Sequence, residues 1–202
     1  TQYLDGLTYQ SAKHMQILAI PSTHYRESFL AGAAEFLAEG RLDSTYAVCL
    51  GYTIDSLAER MPQFIKDLIS LTDVERSGAQ YADQVLWLIA EDQYIGQASI
   101  RPDLNTPYLL TYGGHIGYSI RPSRRRQGYG KTILALTLSA SRNMGLKRVL
   151  VTCNSDNIGS RKIIEHNGGR FESTMSMNSR AFRAEGCKPT QRIDKLRYWI
   201  DL

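Results

Sequence analysis

Apolar and polar positions change period several times along the chain, and each change marks an element. From His14 to Ile20, Met15, Ile17 and Ala19 alternate loosely with Gln16 and Leu18, as in a strand that Pro21 stops. Phe29, Ala33, Phe36 and Leu37, with Leu30 beside them, recur at helical spacing behind a Ser22 or Thr23 cap and run to Gly40. A second helical period, Leu57, Met61, Phe64, Ile65, Leu68 and Leu71, follows a Ser56-x-x-Glu59 capping box. Because proline is comfortable only in a first turn, Pro62 leaves that helix two starting points, Ser56 or its own position. Between the two helices, Arg41 to Thr53 reads as a surface loop.

The next segments read as strands. Gln84 to Ala90 and Tyr94 to Arg101 flank Glu91-Asp92-Gln93 as a hairpin, and Pro102 to Pro107 is a polar excursion. A further strand starts near Leu109 or Thr111, bends at Gly113-Gly114, and ends at Ile120-Arg121-Pro122. A helix from Gly128 to about Met144, apolar around most of its circumference, predicts burial against a sheet, and Gly145 ends it. Arg148 to Asn154, with its unbroken Val149-Leu150-Val151, reads as a strand covered on both faces. Strand, helix, strand makes a right-handed βαβ unit, whose ligands sit beyond the carboxyl ends of the strands. Asp156 or Asn157 caps a last helix stopped by Gly168-Gly169, and Phe171 to Asn178 and Lys195 to Ile200 are strands joined by a long connection, Ser179 to Asp194.

Composition changes this picture little. The 202 residues suit one domain, 14–202, preceded by an irregular arm, 1–13. A net charge of +4 is mild and concentrates at Arg124, Arg125 and Arg126. Without interleaved aromatics or a recognition motif, that cluster suits a phosphorylated cofactor better than a nucleic acid. Three cysteines without CxxC pairing argue for a reducing compartment and against a zinc site. No apolar run approaches the ~18 residues of a membrane span, so the expected location is cytoplasmic and the expected state a monomer or homodimer.

The candidate chemistry lies in the turn Ser123-Arg124-Arg125-Arg126-Gln127-Gly128-Tyr129-Gly130-Lys131. A strand, a glycine-bearing turn and a helix N-terminus present unpaired N–H groups and the positive end of a dipole, an arrangement that favours phosphate. Arg124, Arg125, Arg126 and Lys131 are expected to add mobile positive charge. A Walker A loop is excluded because Arg125 stands where its first glycine belongs. The dinucleotide fingerprint is excluded because Gly128 and Gly130 come too late after the strand.

Arg125-x-x-Gly128-x-Gly130 resembles the pyrophosphate motif of the GNAT superfamily of acyl-CoA-dependent N-acetyltransferases. The strings Tyr112 to Tyr118 and Asn157 to Gly169 resemble an uncharacterised branch of it. The resemblance implies an α/β (or α+β) fold: a mixed, mostly antiparallel sheet with one parallel βαβ unit and helices on both faces. It also implies acetyl-CoA as acetyl donor and an amine-bearing acceptor, with the Arg41–Thr53 loop near the acceptor site. Main chain of Tyr118, Ser119 and Ile120 would pair with the pantetheine arm. The N–H groups of Arg126, Gln127, Gly128, Tyr129, Gly130 and Lys131 would hold the pyrophosphate beside the Arg125 side chain, and Asn157 would bond the pantetheine amide.

Amine acetylation needs a neutral nucleophile, a donor for the oxyanion and an acid for the thiolate. The family's acid tyrosine falls here on Ile164 and its base glutamate on Thr152, so neither role transfers. The remaining candidates are His115 as base, on the central strand with a pKa suited to the task, then Tyr118, Tyr112, and more remotely Glu91 or Glu165. Cys153 reads as a small buried hydrophobe. A catalytically weak acyl-CoA-binding module is the alternative to an enzyme.

Overall fold

The computed structural model describes residues 15–176 and 194–202. The 1–13 arm, His14 and nearly all of the Ser179–Asp194 connection lie outside the described residues. Seven strands form one sheet in the order β1-β2-β3-β4-β5-β7-β6. They are β1 (Gln16–Ala19), β2 (Gln84–Ala90), β3 (Gln93–Ile100), β4 (Ile116–Ile120), β5 (Arg148–Asn154), β6 (Arg170–Ser176) and β7 (Asp194–Asp201). All neighbours are antiparallel except β4 and β5. The expected mixed sheet with one parallel βαβ unit is therefore the observed fold.

Two helical layers cover it. On one face lie α1 (Arg26–Ala38), α2 (Ile54–Glu59) and α3 (Met61–Ser70); on the other lie α5 (Tyr129–Asn143) and α6 (Ile158–His166). The first layer closes on an aromatic cluster in which Phe29 of α1 stacks on Trp87 of β2 at 4.5 Å and meets Tyr94 edge-on. Each such side chain, taken fully from water, contributes about 1.5–3 kcal/mol. Leu37 departs from the expected stripe and is exposed.

Three local readings are corrected. The capping box is Thr53 with Ser56, not Ser56 with Glu59: Thr53 Oγ1 accepts from the Ser56 amide, and Ser56 Oγ accepts from the Thr53 amide. The helical period breaks at Arg60, and Pro62 sits in the first turn of α3, where its missing N–H costs nothing. A short helix, α4 (Val74–Ser77), follows behind an Asp73 cap. The Arg41–Thr53 segment is not a surface loop, because Leu42, Thr45, Ala47 and Tyr52 are buried against α1 and α3. The stretch before β4 is not strand either: Leu109–Gly113 is a π-helical turn, and pairing begins only at Ile116. Arg197 of β7 donates to the carbonyls of Leu110 and Thr111, and Thr152 of β5 to that of Tyr112 at 2.6 Å, which fastens the turn to the sheet.

Candidate active site

The parallel pair is the centre of the site. Its ladder has a single register pair, Ile116↔Val151, and beyond it β4 and β5 part toward their carboxyl ends. Main-chain direction along β4 is fixed by its other neighbour. His115 and Arg121 bond to β3, through His115 O to the Arg101 amide and through the Arg121 amide to Ile95 O. By the alternation of an antiparallel ladder, Gly117 and Ser119 also face β3, and Tyr118 and Ile120 face the gap. Of the three residues expected to pair with an extended ligand, Ser119 thus has its main chain engaged with β3. The Ile120 carbonyl accepts from Arg125 Nε at 3.0 Å, so Tyr118 presents the unengaged edge.

The basic turn is less mobile than its composition suggests. Arg125 donates to both carboxylate oxygens of Glu39, the C-cap of α1, at 2.8 Å, and Arg124 to Gln93. Those bonds hold the Glu39 carboxyl below its ordinary range. Glu35 accepts from Arg121 and from the amide and hydroxyl of Ser123. Burial opposes its charge, but these donors outweigh it and the carboxyl is lowered as well. Arg124 and Arg125 therefore anchor the turn to its neighbours instead of supplying mobile charge. Arg126 and Lys131 have no carboxylate partner among the described residues.

Within the turn, Arg126 (φ 63°) and Gly128 (φ 90°) are left-handed. The amides of Arg126, Gln127 and Gly128 donate to no acceptor among the described residues. They lead into the first turn of α5, which has no side-chain cap and no acidic residue. Consecutive unpaired amides at a helix N-terminus form an anion-binding concavity. The two glycines have different causes. Gly128 has open space around it and is required by its φ, whereas a Cβ on Gly130 would lie 2.4 Å from Ile163 Cδ1, where α5 and α6 pack.

Two cavities meet across the gap. One, of ≈ 260 Å³, runs from the turn past Tyr118, Ser119 and Ile120 to Asn157, Ser160 and Ile163. The other, of ≈ 160 Å³, lies on the α1 side between Asp43, Ser44 and Tyr46 and the β3–β4 floor of Ser99, Arg101 and Gly117. Arg41, Tyr118 and Ser119 line both. Asn157 caps α6 through Oδ1, which accepts from the Ser160 amide at 2.9 Å. Tyr118 Oη shares a hydrogen bond with Ser160 Oγ at 2.8 Å, and burial pushes its pKa upward so that the phenol stays protonated.

His115 lies before β4, not on it, at the end remote from the turn. Its Nδ1 accepts from the Leu150 amide at 2.9 Å, which leaves the proton of the neutral ring on Nε2. Thr152 is committed to Tyr112, and Ile164 is fully buried in the core beneath α6. The remoter candidates are also apart: Tyr112 donates to Ser176 O, Glu165 pairs with Arg161, and Glu91 is exposed in the β2–β3 turn. Cys153 is buried, and burial raises its pKa. Sequence reasoning passed over two residues that the site uses. Ser160 stood in the quoted Asn157-x-x-Ser160 string, and Tyr46 in a stretch without period.

The model of the acetyltransferase (GNAT) domain matches residues 34–170. Solved structures share the fold at low identity. The microcin C7 self-immunity acetyltransferase MccE, in complex with acetyl-CoA and AMP, is 16% identical with a TM-score of 0.62 over 93% of this chain and 92% of that one. RimL, the ribosomal L7/L12 α-N-protein acetyltransferase, in complex with coenzyme A, is 16% identical with a TM-score of 0.62 over 95% and 96%. RimJ from Mycobacterium smegmatis, in complex with CoA-disulfide, is 17% identical with a TM-score of 0.62 over 94% and 83%. No curated relative matches the chain.

Proposed function

The chain belongs to the GNAT acetyltransferase family, whose acetyl donor is acetyl-CoA, and from that premise we propose that it transfers the acetyl group to a primary amine by direct attack in a ternary complex. The observation that supports this reading is the pair of cavities meeting at Tyr118 and Ser119. A donor entering from the turn and an acceptor entering from the α1 side would reach one another beside these residues.

In this reading the amides from Arg126 to Gly130 hold the pyrophosphate, with the Arg126 and Lys131 side chains adding charge; the Lys131 amide, expected to join them, donates instead to the Gly128 carbonyl at 2.9 Å. The pantetheine arm lies in the β4–β5 gap as an added strand against Tyr118, and Asn157 Nδ2 donates to one of its amide carbonyls. The Tyr118 amide, turned into the gap, binds the oxygen of the thioester as negative charge develops on it; one such donor contributes about 2.7–4 kcal/mol in a water-excluded site. The departing thiolate receives a hydrogen bond from the Tyr118 hydroxyl, which Ser160 orients.

Acetyl-CoA should raise the melting temperature, since a ligand at a hundred times its Kd stabilises by about 2.7 kcal/mol. A melting temperature unmoved by acetyl-CoA rejects the donor assignment. A clear shift without turnover across a panel of amines and peptide N-termini leaves the acyl-CoA-binding module instead.

A further inference from the structure

Amine attack releases a proton, and His115, the residue expected to take it, has Nδ1 committed to the Leu150 amide, while Thr152, at the position of the family's glutamate, donates to the Tyr112 carbonyl. The smaller cavity contains another route. Tyr46, at a left-handed position (φ 65°), lines that cavity, and its hydroxyl donates to Asp83 Oδ2 at 2.5 Å. Asp83 is 3% exposed and does not itself line the cavity; Tyr46 connects it to the space an acceptor would enter. Asp83 Oδ1 accepts no hydrogen bond among the described residues, so the carboxylate retains a lone pair.

Arg101, just after β3, holds the pair in place. Its Nε donates to Asp83 Oδ2 at 3.3 Å, and one terminal nitrogen donates to Ser99 Oγ at 3.1 Å and lies 3.5 Å from Tyr46 Oη. The other charged or titratable groups around the pair are Tyr81, under the Arg101 guanidinium, Cys49 on the same loop, and Arg41 and Asp43 lining the cavity. Burial, and then the Asp83 charge, push the Tyr46 pKa upward. A phenol held protonated is no base by itself; it moves a proton only by giving its own away as it receives another.

We propose that Tyr46 receives the acceptor amine's proton while passing its own to Asp83, so that the pair is the proton exit of the acceptor cavity. This rests on the acyltransferase reading above. The amine lone pair forms the C–N bond, and the carbonyl π pair moves to oxygen. The N–H proton goes to Tyr46 Oη as the phenol proton goes to Asp83 Oδ2. Collapse of the intermediate sends the C–S pair to sulfur, which takes a proton from water, and Asp83 returns one to water through Tyr46. Amine and acetyl-CoA become amide and CoA thiol. Tyr46 is catalytic in this scheme, and Asp83 acts through it.

Tyr46→Phe keeps the ring and removes the relay. With ethylamine and glycinamide as probes, kcat should fall on the order of 10²-fold, the scale of a general-base contribution. The KM for acetyl-CoA and the melting shift it causes should stay as in the parent, and added imidazole should restore part of the rate as an external base. An unchanged kcat overturns the proposal, as does a loss that imidazole does not relieve. Where neither probe is turned over, protein labelled with ¹³C at tyrosine Cζ decides. Ethylamine added to the CoA complex should shift the one resonance missing from Tyr46→Phe, and no shift overturns the proposal. Failure of acetyl-CoA to raise the melting temperature strikes the acyltransferase reading instead, so the two failures are distinguishable.

Discussion

His115 and Leu150 are joined twice: the Leu150 amide donates to His115 Nδ1 at 2.9 Å, and the His115 amide donates to the Leu150 carbonyl at 2.8 Å. The second bond extends the parallel β4–β5 pairing by one step before Ile116. The imidazole is thus an acceptor for a strand amide that would otherwise be unpaired, and burial lowers its pKa.

His115→Ala should therefore cost stability and leave the chemistry largely intact. An unsatisfied buried amide costs about 1–3 kcal/mol. The folded pKa lies below the unfolded value, so the unfolded chain binds the proton more readily as pH falls. The contribution is present above the unfolded pKa of about 6.5 and declines as pH drops through it. Urea denaturation at pH 7.5 and pH 5.5 should show a larger acid loss in the parent than in the variant. A folded variant that binds acetyl-CoA normally but loses roughly 10²–10⁴-fold in kcat would restore His115 as the base.

The glycines of the turn should respond differently to alanine. At Gly128 a left-handed φ costs an L-residue about 1–2 kcal/mol, and distortion of the turn should weaken acetyl-CoA binding. At Gly130 the added methyl meets the end of the Ile163 side chain, so the cost should fall on stability, near the low end of the 1–3 kcal/mol typical of overpacking. Ile163→Val should relieve the second and not the first. A double-mutant cycle on melting and acetyl-CoA affinity measures both.

Salt should separate the two arginines. Arg125 is bound to Glu39 and to the Ile120 carbonyl, so Arg125→Ala should loosen the turn and weaken acetyl-CoA binding by a similar factor at low and high ionic strength. Arg126 has no such partner among the described residues, and the loss in Arg126→Ala should shrink as salt rises, because screening over about 10 Å at 0.1 M removes what the charge contributed. Affinities at two salt concentrations decide it. A salt-dependent loss in Arg125→Ala would mean that its side chain reaches the phosphates.

These cases show what the sequence could and could not convey. β2, β3 and β5 were readable because alternation or an unbroken apolar run directly reports burial on one or two faces of a sheet. The anion turn was readable because glycine placement and the following helix are local properties. The role of Arg125 was not, since its partner Glu39 lies 86 positions away and charge alone does not name a partner. The π-helical turn was misread because Leu109 to Gly113 owes its shape to Arg197 and Thr152 on distant strands. Tyr46 carried no pattern at all, because a side chain in a loop acquires a role only through the element it is folded against, here Asp83 and Arg101.

Tyr118 has separable tasks in its main chain and its side chain. Tyr118→Phe keeps the amide that faces the gap and the ring that packs against the core, and removes only the hydroxyl that bonds Ser160. If that hydroxyl donates to the departing thiolate, kcat should fall on the order of 10-fold or more, as a charge-assisted hydrogen bond of about 1.5–3 kcal/mol implies, with acetyl-CoA affinity little changed. Because burial raises the Tyr118 pKa above its ordinary value of 10.0, the parent rate should show no basic limb from this residue below pH 10. Ser160→Ala should give a smaller loss in the same direction, since it removes only the partner that orients the phenol. Single-turnover rates for the parent and both variants, measured with acetyl-CoA and a saturating amine from pH 6 to pH 10, provide the check. Parent-like rates in Tyr118→Phe would leave the thiolate to water and confine Tyr118 to its main-chain role.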